Sequence, residues 1–288
     1  MARIYMRIIK KKRGNEEYFY LQHTIREKGE VKTKEKYLGK EIPKNIDDII
    51  KEFRRELLKD TYNKFDKINS NFKKHWKKVP ESVKAKEKEE ISIVFTYNTN
   101  AIENSTITLE ETREIIHDHI SPNKPLEDVK ETEAHSNVFL QMLNKKISFS
   151  DNIILKWHED IFSETKKDIA GKYRNYLVRV GSYIAPSNKD VKPMMFVLVD
   201  FIKKSKIHPV ELAARAHYRF EKIHPFGDGN GRIGRLIMNH ILWYEDFPMI
   251  IIEVKKRKAY YKALQKDEES FVKYFFRTYL SAHKRWID

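Results

Sequence analysis

The chain has 288 residues, 40% hydrophobic, 12% aromatic and 34% charged, which fits a globular protein with its own core rather than a disordered or fibrous chain. No apolar run reaches the roughly 18 residues a membrane span needs. The start MARIYMRIIKKKRG has no cleavage site for a secretory signal. The absence of cysteine excludes a disulfide framework or a thiolate zinc site and leads us to expect a cytoplasmic setting.

In chain order, residues 1–43 have β character. Ile4, Met6 and Ile8 alternate with charges, Tyr18, Tyr20 and Gln22 continue the alternation, and Val31 to Leu38 forms a third run. Arg13-Gly14-Asn15 and Lys28-Gly29-Glu30 mark turns, so a small antiparallel β-meander of unassigned role is expected. Residues 44–80 form a connecting charged segment, with a helix expected over about 46–76 and broken by Pro80. The net charge of +15 is uneven, with 26 Lys+Arg against 16 Asp+Glu in residues 1–100. Residues 1–80 are therefore a candidate for nucleic acid or an acidic partner, although a solvated lysine-rich surface is the favoured reading.

Residues 81–288 are mainly helical. A helix over 82–102 carries Ile91, Val94, Phe95, Asn98 and Ile102 on one stripe, and Asn104 suits a left-handed C-terminal cap. Glu103 then sits at the negative end of a helix dipole, which is unfavourable unless a cation meets it. Further helices are expected over 109–117, capped by Thr108, over about 125–145, and over 151–163, capped by Ser150. His117, His119, His135 and His158 share no metal-ligand spacing and read as surface or core histidines. Gly171-Lys172-Tyr173-Arg174, followed by alternating Val178 and Val180 and by Gly181, Tyr183 and Pro186, marks a short hairpin between helices. Past residue 248 come an apolar run to Val254, a segment containing Tyr260 and Tyr261, and a last helix over about 268–283.

The densest chemistry lies in Ile223-His224-Pro225-Phe226-Gly227-Asp228-Gly229-Asn230-Gly231-Arg232-Ile233-Gly234-Arg235. A helix over 210–223 enters this loop and a second starts near Gly231. Free amides at the start of that second helix, with its positive dipole end, make an anion site. Arg232 and Arg235 in its first turn or so oppose the dipole, which suggests that a bound anion compensates them. His224 supplies a base that titrates near neutrality. Asp228 supplies a hard oxygen ligand suited to Mg²⁺. Together they describe a nucleotide polyphosphate site.

The run HPFGDGNGRIGR resembles the signature of the Fic/DOC family, HPFx(D/E)GNGRxxR, with every defining position filled. The resemblance covers about 90–280 and implies a Fic-type helical core over 81–288, with catalytic loop 224–235. It implies protein adenylyltransferase activity, in which AMP passes from ATP to a Ser, Thr or Tyr hydroxyl of a protein target. His224 would be the base, Asp228 would hold Mg²⁺, and Gly229, Asn230, Gly231, Arg232 and Arg235 would bind the phosphates. Segment 82–104 is similar to the family's (S/T)xxxE(G/N) inhibitory helix through Thr99, Glu103 and Asn104. The resemblance pairs its glutamate with the arginine that ends GNGR, here Arg232. Residues 171–186 look like the family's flap, with Val180, Gly181, Ser182 and Tyr183 holding the target segment by strand addition. Tyr260 would line the adenine pocket, with Glu268 where relatives have asparagine, which leaves nucleotide selectivity open. The alternatives are a de-AMPylase using Glu103 to activate water, and a nucleic-acid-binding protein with a nucleotide sensor. A homo-oligomer is compatible with the sequence, and no membrane partner is expected.

Overall fold

The computed structural model describes residues 6–27, 30–181 and 183–287. Ile4 of the first expected strand, Lys28-Gly29 of the second turn and Ser182 of the flap lie outside the described residues. The chain divides into two compact units, residues 1–66 and 67–288, and the division falls within a 33-residue helix, α1 (Ile46–Lys78).

In the first unit, β1 (Arg7–Arg13), β2 (Glu16–Glu27) and β3 (Glu30–Gly39) form the expected antiparallel meander, in spatial order β1-β2-β3. Gly14, with φ +64°, takes the left-handed conformation that a tight hairpin between Arg13 and Glu16 requires. Phe19, Leu21 and Leu38 pack with Ile46, Ile49, Ile50 and Phe53 from the first turns of α1. Tyr20 and Tyr37 pair across strands instead, with ring centroids 5.3 Å apart, and Tyr37 stays exposed.

The second unit is built of helices. α2 (Glu81–Ile102) lies along α4 (Leu126–Asn144), with Phe95 stacked on Phe139 at 4.3 Å and the buried Ser92 and Ser136 hydroxyls 2.7 Å apart. Between them, α3 (Leu109–Arg113) starts from a capping box made by Thr108 and Glu111, and continues as a π-turn to Asp118. α5 (Asp151–Phe162) begins at Ser150, whose hydroxyl accepts from the Ile153 amide at 3.3 Å. A two-stranded hairpin follows, β4 (Arg179–Val180) and β5 (Tyr183–Ile184).

The next helix, α6 (Asn188–Lys204), was not anticipated from the sequence. Pro193 lies inside it and removes a backbone donor, but the buried stripe Val191, Met195, Leu198 and Ile202 holds the segment helical. α7 (Pro209–Ile223) and α8 (Asn230–Tyr244) make the central pair. α8 is buried from Arg232 to Leu242 without interruption, as a helix surrounded by others must be. α9 (Arg257–Leu264) and α10 (Glu268–Ala282) close the unit, α10 against α7. The chain is mainly helical, with one small sheet and one short hairpin. Among the described residues no helix is long and apolar enough to cross a membrane.

Candidate active site

The motif is the turn between α7 and α8. His224 ends α7 in the left-handed conformation, φ 51°, with its amide donating to Phe220 O at 2.9 Å. Gly229 opens α8 at φ +74°, and a Cβ there would run into the Phe162 ring, so only glycine fits. The first intrahelical bond of α8 is Ile233 N to Gly229 O at 3.0 Å, so the amides of Asn230, Gly231 and Arg232 precede the helix ladder.

Two of the loop's polar groups are engaged within the loop itself. The Asn230 side chain accepts from Phe226 N and donates to Phe226 O, both at 2.9 Å, and it is buried. The Gly229 amide donates to Asp228 Oδ1 at 2.6 Å. This corrects the expected roles: the Asn230 side chain staples the loop, and the Gly229 amide is already satisfied. The amides of Asn230, Gly231 and Arg232 at the head of α8 are the ones left as candidates to meet an anion.

Side chains from outside the motif hold the loop. Gly171 N donates to His158 Nδ1 at 3.0 Å, so the His158 proton sits on Nε2, which donates to Asp228 O at 3.1 Å. The same ring stacks on Phe226 at 3.8 Å, and burial pushes its pKa down to about 4. Arg174, buried, donates to His224 O at 2.8 Å, Tyr176 O at 2.7 Å and Pro186 O at 2.7 Å, joining both ends of the flap segment to the motif. Tyr183 of β5 donates to Lys222 O at 2.8 Å, and Val180 of β4 is exposed.

The two motif arginines meet different acids. Arg235, 1% exposed, donates to Glu103 Oε1 at 2.7 Å, to Thr99 Oγ1 at 2.5 Å and to Thr99 O at 3.1 Å. Arg232 pairs with Glu131 of α4 and lies over the Phe162 ring, 4.4 Å from its centroid. The expected Glu103–Arg232 pair is therefore wrong, because α2 approaches the face of α8 that carries Arg235. Glu103 also lies so close to Gly231 that a Cβ there would collide with its carboxylate. The carboxylate thus covers the head of α8 as well as neutralising Arg235. Asn104 takes φ 73°, as its capping role requires, and its Oδ1 accepts from Arg257 at 2.7 Å.

The resulting charges are graded by environment. Burial works to raise the Glu131 pKa, but Arg232, Lys166 and Thr165 outweigh it and keep the carboxyl below its ordinary value. Asp228 behaves alike, its burial offset chiefly by Lys166 at 2.8 Å and by Arg232. Burial lowers the Arg235 pKa, but Glu103 reverses this and keeps the guanidinium charged. For His224, burial dominates over the Glu221 carbonyl and lowers the pKa, so a neutral imidazole is available near pH 7.

A cavity of about 210 Å³ opens beside these groups, lined among others by Glu103, Asn104, Glu131, Lys166, Asp228 and Arg232. Neither His224 nor the buried Arg235 forms its wall. Asp228 is half exposed at its rim, and one such carboxylate suits Mg²⁺, which takes one or two protein carboxylates and completes its shell with phosphates and water. Tyr260, expected in the adenine pocket, is 0% exposed, and its hydroxyl meets His217 Nε2 at 2.7 Å, so it is a core residue. Tyr261 is the member of the pair that reaches Glu103, at 3.5 Å. Glu268 binds Arg215 at 2.8 Å and Arg219 at 3.1 Å and ties α10 to α7.

Fold and constellation together define a helical protein with a histidine, the free amides of a helix start and two paired arginines at one turn. Residues 148–242 match the Fic/DOC family. A protein of Nematostella vectensis named "Protein adenylyltransferase Fic" is 33% identical over 200 residues, which cover 67% of this chain and 47% of that protein. A Fic-domain-containing signaling protein from Bacteroides thetaiotaomicron superposes with TM-score 0.67 at 26% identity, over 78% of this chain and 95% of that one. Fic-1 from C. elegans gives TM-score 0.66 at 26% identity, over 84% and 74% of the two chains. This chain belongs to the Fic/DOC family. It spans about half the length of the curated relatives it matches.

From the sequence, Glu131 and Lys166 have no part, His158 reads only as a surface or core histidine, and Arg174 enters only through the hairpin pattern. Gly171-Lys172-Tyr173-Arg174 was a visible signal for the last, but no spacing pointed to the other three.

Proposed function

We propose that the chain is a protein adenylyltransferase that transfers AMP from ATP to a Ser, Thr or Tyr hydroxyl of a protein target, and that Glu103 restrains it. The observation that carries this reading is the Glu103 carboxylate lying on Arg235 and against Gly231, at the helix start where a phosphate would be held. The name of the Nematostella relative agrees with it. The cysteine-free composition fits a cytoplasmic setting.

In this reading the phosphates of ATP lie at the head of α8, between Arg232 and, once Glu103 has left, Arg235. Asp228 would hold Mg²⁺, which supplies neutralisation of phosphate charge when bound. The target hydroxyl attacks the α-phosphorus, its proton passes to the neutral His224 imidazole, and the bond to the β-phosphate breaks to release pyrophosphate. A positioned base contributes roughly 10²–10⁴ in rate. The remainder comes from donors aimed at the developing charge and from in-line placement. The exposed edge of β4–β5 is the surface on which a target strand would add.

Removing one partner of a buried ion pair costs about 3–5 kcal/mol. Glu103 is 33% exposed, so the brake belongs at the low end of that range. A bias of about 3 kcal/mol leaves the released state near 1%. Basal activity is accordingly expected to be low. With α-labelled ATP and Mg²⁺, Glu103→Gly should raise self-modification and His224→Ala should abolish it. Mass spectrometry of the modified chain identifies the added group and its site. No gain from Glu103→Gly would reject the brake. Because Glu103 lines the cavity, water activation by its carboxylate is the second reading. Loss of AMP from a modified target with the wild-type chain but not with Glu103→Ala would favour it.

A further inference from the structure

Lys166 lies outside the motif, in the turn after α5, and its ammonium sits between two carboxylates. Nζ is 2.8 Å from Asp228 Oδ2 and 2.6 Å from Glu131 Oε1, and it lies 5.1 Å from the centroid of the Phe162 ring. Glu131 is 5% exposed, holds Arg232 with its other oxygen, and accepts from the Thr165 hydroxyl at 2.8 Å. One buried carboxylate on α4 therefore fixes two cations side by side, Arg232 from the motif and Lys166 from the turn after α5.

Both cations line the cavity described above. They are the only ones among the described residues that do so, against Glu103, Asp128, Glu131 and Asp228. A polyanion entering there depends on each positive group. An ammonium has three donors. Two are engaged by the carboxylates, and the oxygen of Asp228 that Lys166 covers is one a metal ion would compete for. When Asp228 is taken, Glu131 still anchors Lys166 at the wall, with its remaining donors free for an anion. A lysine paired only on the surface contributes little to stability and has no need of a buried acid to place it. Here the placement is built.

We infer that Lys166 is a phosphate-binding residue of this site, positioned by Glu131, and that it exchanges Asp228 for the phosphates of the nucleotide. The assignment rests on the nucleotide reading proposed above. The test is the affinity of the full chain for ATP, measured by calorimetry in EDTA so that no metal contributes. Glu103→Gly serves as the parent so that the brake does not mask binding. Lys166→Met and Lys166→Gln should each weaken metal-free ATP binding about tenfold or more, the effect of losing a charge-assisted contact, while Lys166→Arg should stay within about threefold of the parent. Unfolding midpoints of the Gln and Arg variants serve as the folding control. Unchanged affinity in folded Lys166→Gln overturns the assignment, and so does an Arg variant as weak as the Gln variant. If the parent binds ATP and only the Lys166 effect is missing, the nucleotide reading survives without this residue. If the parent binds no ATP, both fall.

Discussion

Arg232 and Arg235 stand three residues apart on α8, and each is neutralised by a different helix. Three steps of about 100° leave their side chains about 60° apart around the axis. The rotation of α8 therefore decides which one faces Glu103 at the C-terminal end of α2 and which faces Glu131 on α4. His224 shows the same dependence on surroundings. Its imidazole is held below the ordinary value of 6.5, chiefly by burial, so more of it is unprotonated at neutral pH than of a free imidazole. The rate of AMP transfer is expected to fall on acidification with a midpoint below that ordinary value. A pH profile of self-modification in Glu103→Gly checks this. An acid limb with its midpoint above 6.5 would mean that His224 is not the titrating base.

At the scale of elements, the site is one turn between two buried helices, clamped from behind. Arg174 bonds the backbone at Tyr176, Pro186 and His224, so the flap hairpin and the end of α7 share one guanidinium. In Arg174→Met those carbonyls lose their donor, at about 1–3 kcal/mol for each one left buried and unpaired. The expected outcome is faster amide exchange across residues 176–186 and weaker modification of protein targets, while α5 and α10 keep their protection. Hydrogen exchange read by mass spectrometry distinguishes this from global unfolding. α6 is the element that sequence pattern alone did not disclose. Its proline argued against a helix, and only the packing of its buried stripe overrides that local preference.

Across the whole molecule, acid sensitivity follows from buried histidines. His217 is pushed down to about 3, and His158, His240 and His283 to about 4, in each case chiefly by burial. In the unfolded chain these rings take up protons near 6.5, whereas in the folded chain they resist until about 3 to 4. Between those values the unfolded state binds more protons, so stability should decline steadily as pH falls through that window. Urea midpoints measured at several pH values between 7 and 4 check it, and a flat response would mean the histidines are already charged in the fold. The first unit has its own electrostatics. Lys10 and Lys11 pair with Glu17 and Glu35, and Lys40 with Glu16, so these acids of the unit are tied up by lysines and the net basic surplus read from the sequence rests on its other cations.

The local order of residues was enough to disclose most of the helices, the meander, and the loop from His224 to Arg235. Capping, periodicity and the chemistry of a helix start all act within a dozen positions of the chain. That Glu103 needs a cation was also legible, since a carboxylate at the wrong end of a helix demands one; that the motif supplies it was implied only by the resemblance to the family. Which cation it met, and the arrival of Glu131, Lys166, His158 and Arg174, were decided only by tertiary packing. These residues lie 50 to 101 positions from their partners in the motif, and nothing in local sequence sets the rotation of one buried helix against another.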